Sequence, residues 1–385
     1  MSYASSNRTA VRIVKESTFG VTPTSPTLIP VRYSGESLSN NITNVTSKEI
    51  RDDRMTADLI QVSGDASGDI SIEMSFGSYD EFIEGAMASV FSTALALTAT
   101  DIDASSADDS FNSTASGFVN VVDGQFIRVT GFSNSANNGV FKVTTATTAK
   151  LIVVGTLVTE AVGPSVTVKA KMIRNGVTQS SFTVQKHLQD PTTPTFFNYT
   201  GTRVGSMSLD FQTGSVVTGS FGLMSLAAAD STSQISGATV AAASTSIPMN
   251  ASSDLSAIYI DGVISTTKFA NLKFELDNKL RAQAAIGSGL SNIGIALGTL
   301  SVGGSSSFYF EDSTMYAKYI AGTSFSMSFV IQDDNSDTYV VTLPKQKFGT
   351  GKVVSGGLDS DMMFDADWTA VLDSATACMV QIDKL

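Results

Sequence analysis

The sequence holds a single histidine, His187, and a single cysteine, Cys378. One imidazole cannot build a histidine-based metal cluster, and no Ser-His-Asp triad is read around His187. One thiol cannot form an internal disulfide, so folding in a reducing cytosol is expected; Cys378, beside Met379 and Val380, reads as a small core residue. Charged residues are sparse, at 16%, and carboxylates outnumber Lys and Arg by 36 to 24, for a net charge of −12. No basic cluster is present to grip a phosphate backbone, so specific DNA binding is not expected. No uninterrupted apolar run is long enough to span a bilayer. The start, Met1 to Ser6, has no basic region followed by an apolar stretch, so no secretory signal is read there.

What the chain does have is Gly, Ser and Thr between apolar residues, with 42% hydrophobic residues to build cores. That is the composition of short strands joined by small-residue turns, and its length suggests two or three domains. Ile70, Ile72, Met74 and Phe76 alternate with polar neighbours, as a half-buried strand requires. The same period recurs at Met207, Leu209, Phe211; at Leu272, Phe274, Leu276; at Phe325, Met327, Phe329, Ile331; and at Tyr339, Val341, Leu343. Polar residues on the opposite faces predict antiparallel sheets with one side buried.

Two helices are predicted. Ser78 and Glu81 form a capping-box pattern ahead of Tyr79, Phe82, Ile83, Ala86 and Met87, which share one helical face. Asp312 opens the second, with Met315, Tyr316, Tyr319 and Ile320 as its stripe and Gly322 at the left-handed C-cap position. Each helix follows a strand ending in Phe (Phe76, Phe310). Gly-rich stretches, Gly64 to Gly68 and Gly298 to Gly304, precede those strands and are read as hairpin regions. Further upstream lie Arg51-Asp52-Asp53-Arg54 and Asn278-Lys279-Leu280-Arg281. Strand, long loop, strand and short helix therefore occur twice, an internal repeat. After the second helix a strand returns at once, at Phe325; after the first, the comparable strand begins only at Phe182. The intervening segment opens with a polar run, Thr98 to Ser116, expected to be too poor in apolar residues to pack. It continues with strand patterns at 125–129 and 140–143, which Asn138-Gly139 is expected to join as a tight turn, then at 151–154 and 166–168. It reads as an inserted small β-sandwich. Ala227 to Ser246, rich in Ala, Ser and Thr, reads as a linker.

Other candidate sites are weighed and set aside. Gly64-Asp65-Ala66-Ser67-Gly68-Asp69 looks like a phosphate loop but lacks the Lys and precedes a strand. Asp359, Asp361, Asp365 and Asp367 depart from calcium-loop spacing and fit an exposed strand face better. Asp101, Asp103, Asp108 and Asp109 read as solvated. Nothing selects a carboxylate pair for glycoside hydrolysis.

Lys15-Glu16-Ser17-Thr18-Phe19-Gly20-Val21-Thr22-Pro23 resembles the N-terminal arm of siphophage tail tube proteins. Similar likenesses run from Glu49-Ile50-Arg51-Asp52-Asp53-Arg54 to Tyr79-Asp80-Glu81-Phe82-Ile83-Glu84-Gly85-Ala86 and through Phe196-Phe197-Asn198-Tyr199-Thr200-Gly201-Thr202-Arg203-Val204. They continue at Asp277-Asn278-Lys279-Leu280-Arg281 and Tyr309-Phe310-Glu311-Asp312. No motif is specific alone; order and spacing carry the likeness. The resemblance implies a mainly β fold: two tail-tube-type β-sandwich or barrel domains, each with a short flanking helix, plus the inserted small β-sandwich. The division expected is 1–97 with 173–228 for the first tube domain, 98–172 for the insert on the tube exterior, 229–246 for a linker, and 247–385 for the second tube domain.

By the same resemblance the chain is a non-enzymatic virion subunit with no cofactor, assembled in the host cytoplasm. It stacks in rings into a hollow conduit through which DNA passes without specific binding. Two tube domains per chain favour a trimer with pseudo-six-fold symmetry, with a hexamer as the alternative. Tape measure, tail terminator and distal tail proteins are the implied partners. Loops at about 44–64 and 278–294 are implied to reach the adjacent ring, making Arg51, Asp52, Asp53, Arg54 and Arg281 candidates for inter-ring or inter-subunit contacts; the competing reading is a solvated surface loop. A phage-derived particle such as a gene transfer agent fits the same pattern. A secreted or cell-surface β-sandwich adhesin and a β-sandwich hydrolase are the other classes considered.

Overall fold

The structure is a computed structural model and describes residues 3–385. Strands hold 50% of the residues and helices 6%, so the chain is mainly β, as its composition predicts. The alternating segments place their apolar residues inward: Ile70, Ile72, Leu209, Phe274, Phe329 and Leu343 are all buried.

In the first half, Thr9–Lys15 pairs with Phe182–Leu188, which pairs with the start of an 18-residue strand, Thr195–Gln212. That strand then leaves one sheet for another. Its bulge falls between Val204 and Ser206, and beyond it the pairing continues with Thr218–Ser225, then Leu59–Glu73, then Gly35–Glu36 and Ser39–Thr46. The transfer is eased by Gly201, whose φ of +61° suits glycine and whose position lies against Leu226 and Gly20, where a Cβ would not fit.

In the second half, Leu255–Ile260 pairs with Phe325–Gln332, which pairs with Thr338 to Gln346 of the strand Thr338–Phe348. The end of that strand, Gln346 to Phe348, pairs with Met362–Ala370, which pairs with Ser301–Tyr309, which pairs with Phe269–Asp277. The order of pairings is the one seen in the first half. The halves meet edge to edge, Ser206 opposite Asp277 through Gln212 opposite Asn271, so one sheet runs through both. A single apolar core lies beneath it. Phe211 and Phe329 meet at 5.3 Å, and Phe274 lies 6.4 Å from the same Phe329 ring, so aromatic contacts tie the halves together.

Residues 95–170 form a separate seven-stranded sheet with its own core, including Ile102, Phe111, Ile127, Val143, Leu151 and Val168. Its first and last strands, Leu95–Ala99 and Val166–Ala170, pair with Leu95 opposite Ala170, so entry and exit lie side by side. Contrary to expectation, the polar run packs. Ile102–Ser105 and Ser110–Ser113 are strands, and Ile102 and Phe111 are fully buried because their few apolar positions all fall on the inner face. Asp101 accepts from Ser113 Oγ and the Ala115 N–H, both at 2.8 Å. Phe126–Thr130 and Gly139–Ala146 do pair as a hairpin, but residues 131–138 connect them and Gly139 already belongs to the second strand. The Asn138 carboxamide instead folds back onto the Phe132 N–H, at 3.0 Å.

The Gly64-to-Gly68 stretch is not a hairpin region; it lies inside Leu59–Glu73, and the chain reverses at 47–58. Gly303 and Gly304 likewise belong to Ser301–Tyr309. The Ala- and Ser-rich segment is tied down, since Ala227–Ser231 pairs with Phe196 to Thr200, and Thr239–Val240 runs parallel to Thr27 and Leu28.

Helix α1 spans Asp80–Met87, and α2 spans Thr314–Ala321. The expected capping box at Ser78 is absent: Tyr79 is the N-cap, and the Ser78 hydroxyl is engaged with Ser75 and Ser244. The start of α1 is held by tertiary contacts instead, with Asp80 accepting from Tyr339 Oη at 2.6 Å and pairing with Lys384. At α2 the cap is Ser313, while Asp312 takes the Thr314 N–H at 2.7 Å; Gly322 takes the left-handed C-cap with φ 61°. The α1 stripe is buried throughout, but of the α2 stripe only Met315 is buried.

Candidate assembly surfaces

Two strand edges of the shared sheet have no partner among the described residues. At one end lies the segment from Ser34 to Ser39, whose only strand partner is Leu59–Glu73; at Leu38 the N–H donates to Glu36 Oε2 at 3.0 Å and the carbonyl accepts from Tyr199 Oη at 3.1 Å. At the other, Lys352–Ser355 pairs only with Met362 to Asp365. Unpaired N–H and C=O groups along such edges are templates for another strand. Between the edges, the polar face of the sheet is dominated by carboxylates. Asp210, Glu275, Asp277, Asp365 and Asp367 stand there among serines, against Lys273 and Lys352. Lys273 is paired with Glu275 at 2.5 Å, and Asn271 and Ser307 donate to Asp210 and Asp365.

Beyond the first edge, Ser39–Thr46 and the start of Leu59–Glu73 project as a hairpin arm that is exposed on both faces. Val45, Ile50, Met55, Leu59, Ile60 and Val62 are large apolar side chains left in solvent along it. Arg51, Asp52, Asp53 and Arg54 sit at its tip. Arg51 pairs with Asp53 at 2.7 Å, which lowers the Asp53 carboxyl below its ordinary range, and Arg54 has φ 61°. Arg281 lies apart, exposed in the short strand Arg281–Gln283, which pairs with Gly294–Ala296. The loop carrying it rests on the arm, where the Gly64 N–H donates to Leu290 O at 2.8 Å.

Sequence reasoning missed two polar anchors because neither has a motif. Glu16 is buried and accepts from the Gly20 N–H, Ser181 Oγ, Thr183 Oγ1 and the Gly201 N–H at 2.8 to 2.9 Å, fixing the N-terminal arm on the sheet switch. Asn278 is buried where the two halves meet, and its amide donates to Ala86 O at the end of α1, at 2.8 Å.

The residues set aside on sequence have ordinary surroundings. His187 stacks on Phe196 at 4.1 Å, and burial with Arg12 nearby lowers its pKa. Cys378 is buried, which raises its thiol pKa. Asp365 and Asp367 lie on the strand Met362–Ala370, and among the described residues no group of His, Cys, Asp and Glu is placed to hold a metal ion.

Open edges, an exposed arm and an acidic sheet face are the surface features that this mainly β protein leaves without a use inside one chain. The family model described as phage tail tube protein matches residues 6–370, and the chain belongs to that family. No curated protein matches its sequence. As a member it is a component of a virion tail that self-assembles, with other tail proteins, into a tube.

Proposed function

We propose that the chain builds the tail tube as stacked rings, each of three subunits. The observation that carries this is the in-chain joint between Ser206–Gln212 and Asn271–Asp277. The pairing order occurs twice, which supports reading the halves as two copies of one tube unit, residues 1–97 with 173–228 and residues 247–385. The joint then displays the contact that neighbouring subunits repeat, with Lys352–Ser355 of one chain receiving the 34–39 edge of the next. Closing the ring removes both edges, and three doubled chains supply six units.

The acidic sheet face becomes the lumen wall. Its sign repels phosphate, so DNA passes through during ejection without stations that hold it. The arm reaches the adjacent ring, burying its exposed apolar side chains and bringing Arg51, Asp52, Asp53 and Arg54 into inter-ring ion pairs, with Arg281 beside them. The seven-stranded unit, 98–172 by sequence, lies on the tube exterior. It is seated through Phe126 against Val330, Val340 and Leu385, on the far side of the core from the acidic face.

Negative-stain microscopy of the purified protein, with mass measurement of the smallest ring, tests this reading. Hollow filaments and a three-chain ring are expected. A protein that stays monomeric at high concentration and across salt conditions refutes it.

A further inference from the structure

The patch of α2 left open in the monomer has a covered counterpart at α1, and this identifies what covers it. At the in-chain joint the Asn278 N–H donates to Gly205 O at 2.8 Å, and its side chain takes Ala86 O. Leu280 follows and packs against Gly205. Under that cover Ala86 is 0% exposed. With the helices aligned from their starts, Ile320 occupies the position of Ala86, yet it is 66% exposed. Gly349 stands where Gly205 does. In both halves the glycine lies at the bulge where the strand changes sheet, and the N–H groups of Gly349 and Thr350 converge on Asp367 O.

The same alignment finds the missing cover. Gly35 lies opposite Ser71 as Lys273 lies opposite Ser305, so Asn40 falls at the position of Asn278. The sequences agree, Leu38-Ser39-Asn40-Asn41-Ile42 against Leu276-Asp277-Asn278-Lys279-Leu280. Asn278 is 4% exposed, whereas Asn40 faces solvent.

We infer that Asn40 of a second copy of this chain caps α2. Its side-chain amide donates to Ile320 O, its backbone N–H donates to Gly349 O, and its Ile42 covers Gly349. The register follows from the in-chain joint: Ser39 of the second copy lies opposite Thr350, and Ser37 opposite Lys352. Ile320 and Tyr316 are buried in the process. This rests on the proposed ring and goes beyond it by fixing the contact and its register.

Two measurements test the inference. Ser39→Cys combined with Thr350→Cys should give interchain disulfides under mild oxidation, read as a ladder ending at three chains on a non-reducing gel. Ser37→Cys combined with Thr350→Cys, two residues out of register, should give little. The native Cys378 is buried and does not compete. Separately, Asn40→Ala should raise the concentration needed for assembly about ten-fold, the cost of an unpaired carbonyl at an interface, with monomer melting unchanged because Asn40 is exposed. Tubes that form normally from Asn40→Ala, or cross-links in the shifted register, overturn the inference while leaving the tube reading intact. Absence of rings and tubes from the unmodified protein sinks both.

Discussion

The Asp383 carboxyl should make the folded chain lose stability as pH rises through neutrality. It is fully buried on the C-terminal strand Gln381–Lys384, which pairs with Met172–Arg174 on one side and with Tyr339 to Thr342 on the other. Gln381 Nε2 donates to Oδ2 at 2.9 Å, and Oδ1 has no partner. Burial pushes its pKa from 3.8 to about 8, with Gln381, the Phe126 N–H, Arg174 and Lys142 pulling weakly the other way. Lys142 is itself lowered by burial. The folded protein therefore carries a neutral acid at pH 7, while the unfolded chain ionises near pH 4. A raised folded pKa contributes stability that is fully present below the unfolded value. That contribution declines as pH rises, by about 1.4 kcal/mol per unit, until the folded group also ionises near pH 8. Between pH 5.5 and 8 the loss amounts to about 3 kcal/mol. Asp383→Asn keeps the shape of the neutral acid and cannot ionise, so its stability relative to the native protein should climb by about that amount over the same window. Urea unfolding of both proteins at several pH values gives the difference curve, from which other titrating groups cancel. A flat difference curve would refute the reasoning.

Other consequences follow from particular contacts. Phe126→Ala removes the ring that seats the seven-stranded unit on Val330 and Val340; it should cost about 3 kcal/mol and make the segment around residues 95 and 170 sensitive to limited proteolysis. Replacing residues 96–169 by a short turn should leave tube formation intact, because the flanking Leu95 and Ala170 lie opposite each other on paired strands; microscopy showing no tubes would count against an exterior placement. Gly304→Ala drives a Cβ into the Lys273 carbonyl and the Trp368 ring, so little soluble folded protein is expected on expression. Arg51→Ala breaks an exposed pair and should leave monomer melting unchanged, while shortening tubes seen by microscopy at high salt.

How far the sequence revealed this architecture depended on whether a residue's role is local. Strands with one buried face were readable because period-two alternation records burial directly, as at Leu272, Phe274 and Leu276. The stripe of α1 was readable for the same reason. Averaged composition misled at Thr98 to Ser116, where Ile102 and Phe111 suffice because each falls inward. Local motifs misled at Ser78, whose hydroxyl is taken by Ser75 and Ser244, which are brought to it by the fold. Charge drew attention to Arg51 and Arg281, yet the side chain that ties the end of α1 to the second half is the uncharged Asn278, whose partner Ala86 is distant in sequence. Only the strand registers support assigning Asn40 the same place, as proposed above.

The features without a use inside one chain share a physical explanation. A helix that buries only Met315 of its stripe, an arm apolar on both faces and two unpaired strand edges each leave favourable contacts unmade. In a monomer they are liabilities, because exposed edges and apolar side chains invite unregulated association. The joint between the halves shows the same kinds of surface satisfied: the edge paired, the helix end capped and the glycine bulge covered. On the proposed ring, a chain that makes this joint once internally and repeats it with its neighbour would have its association set by register and not by stickiness. The acidic sheet face, which cannot pack as a core and whose sign repels phosphate, is the surface that the proposed ring leaves uncovered.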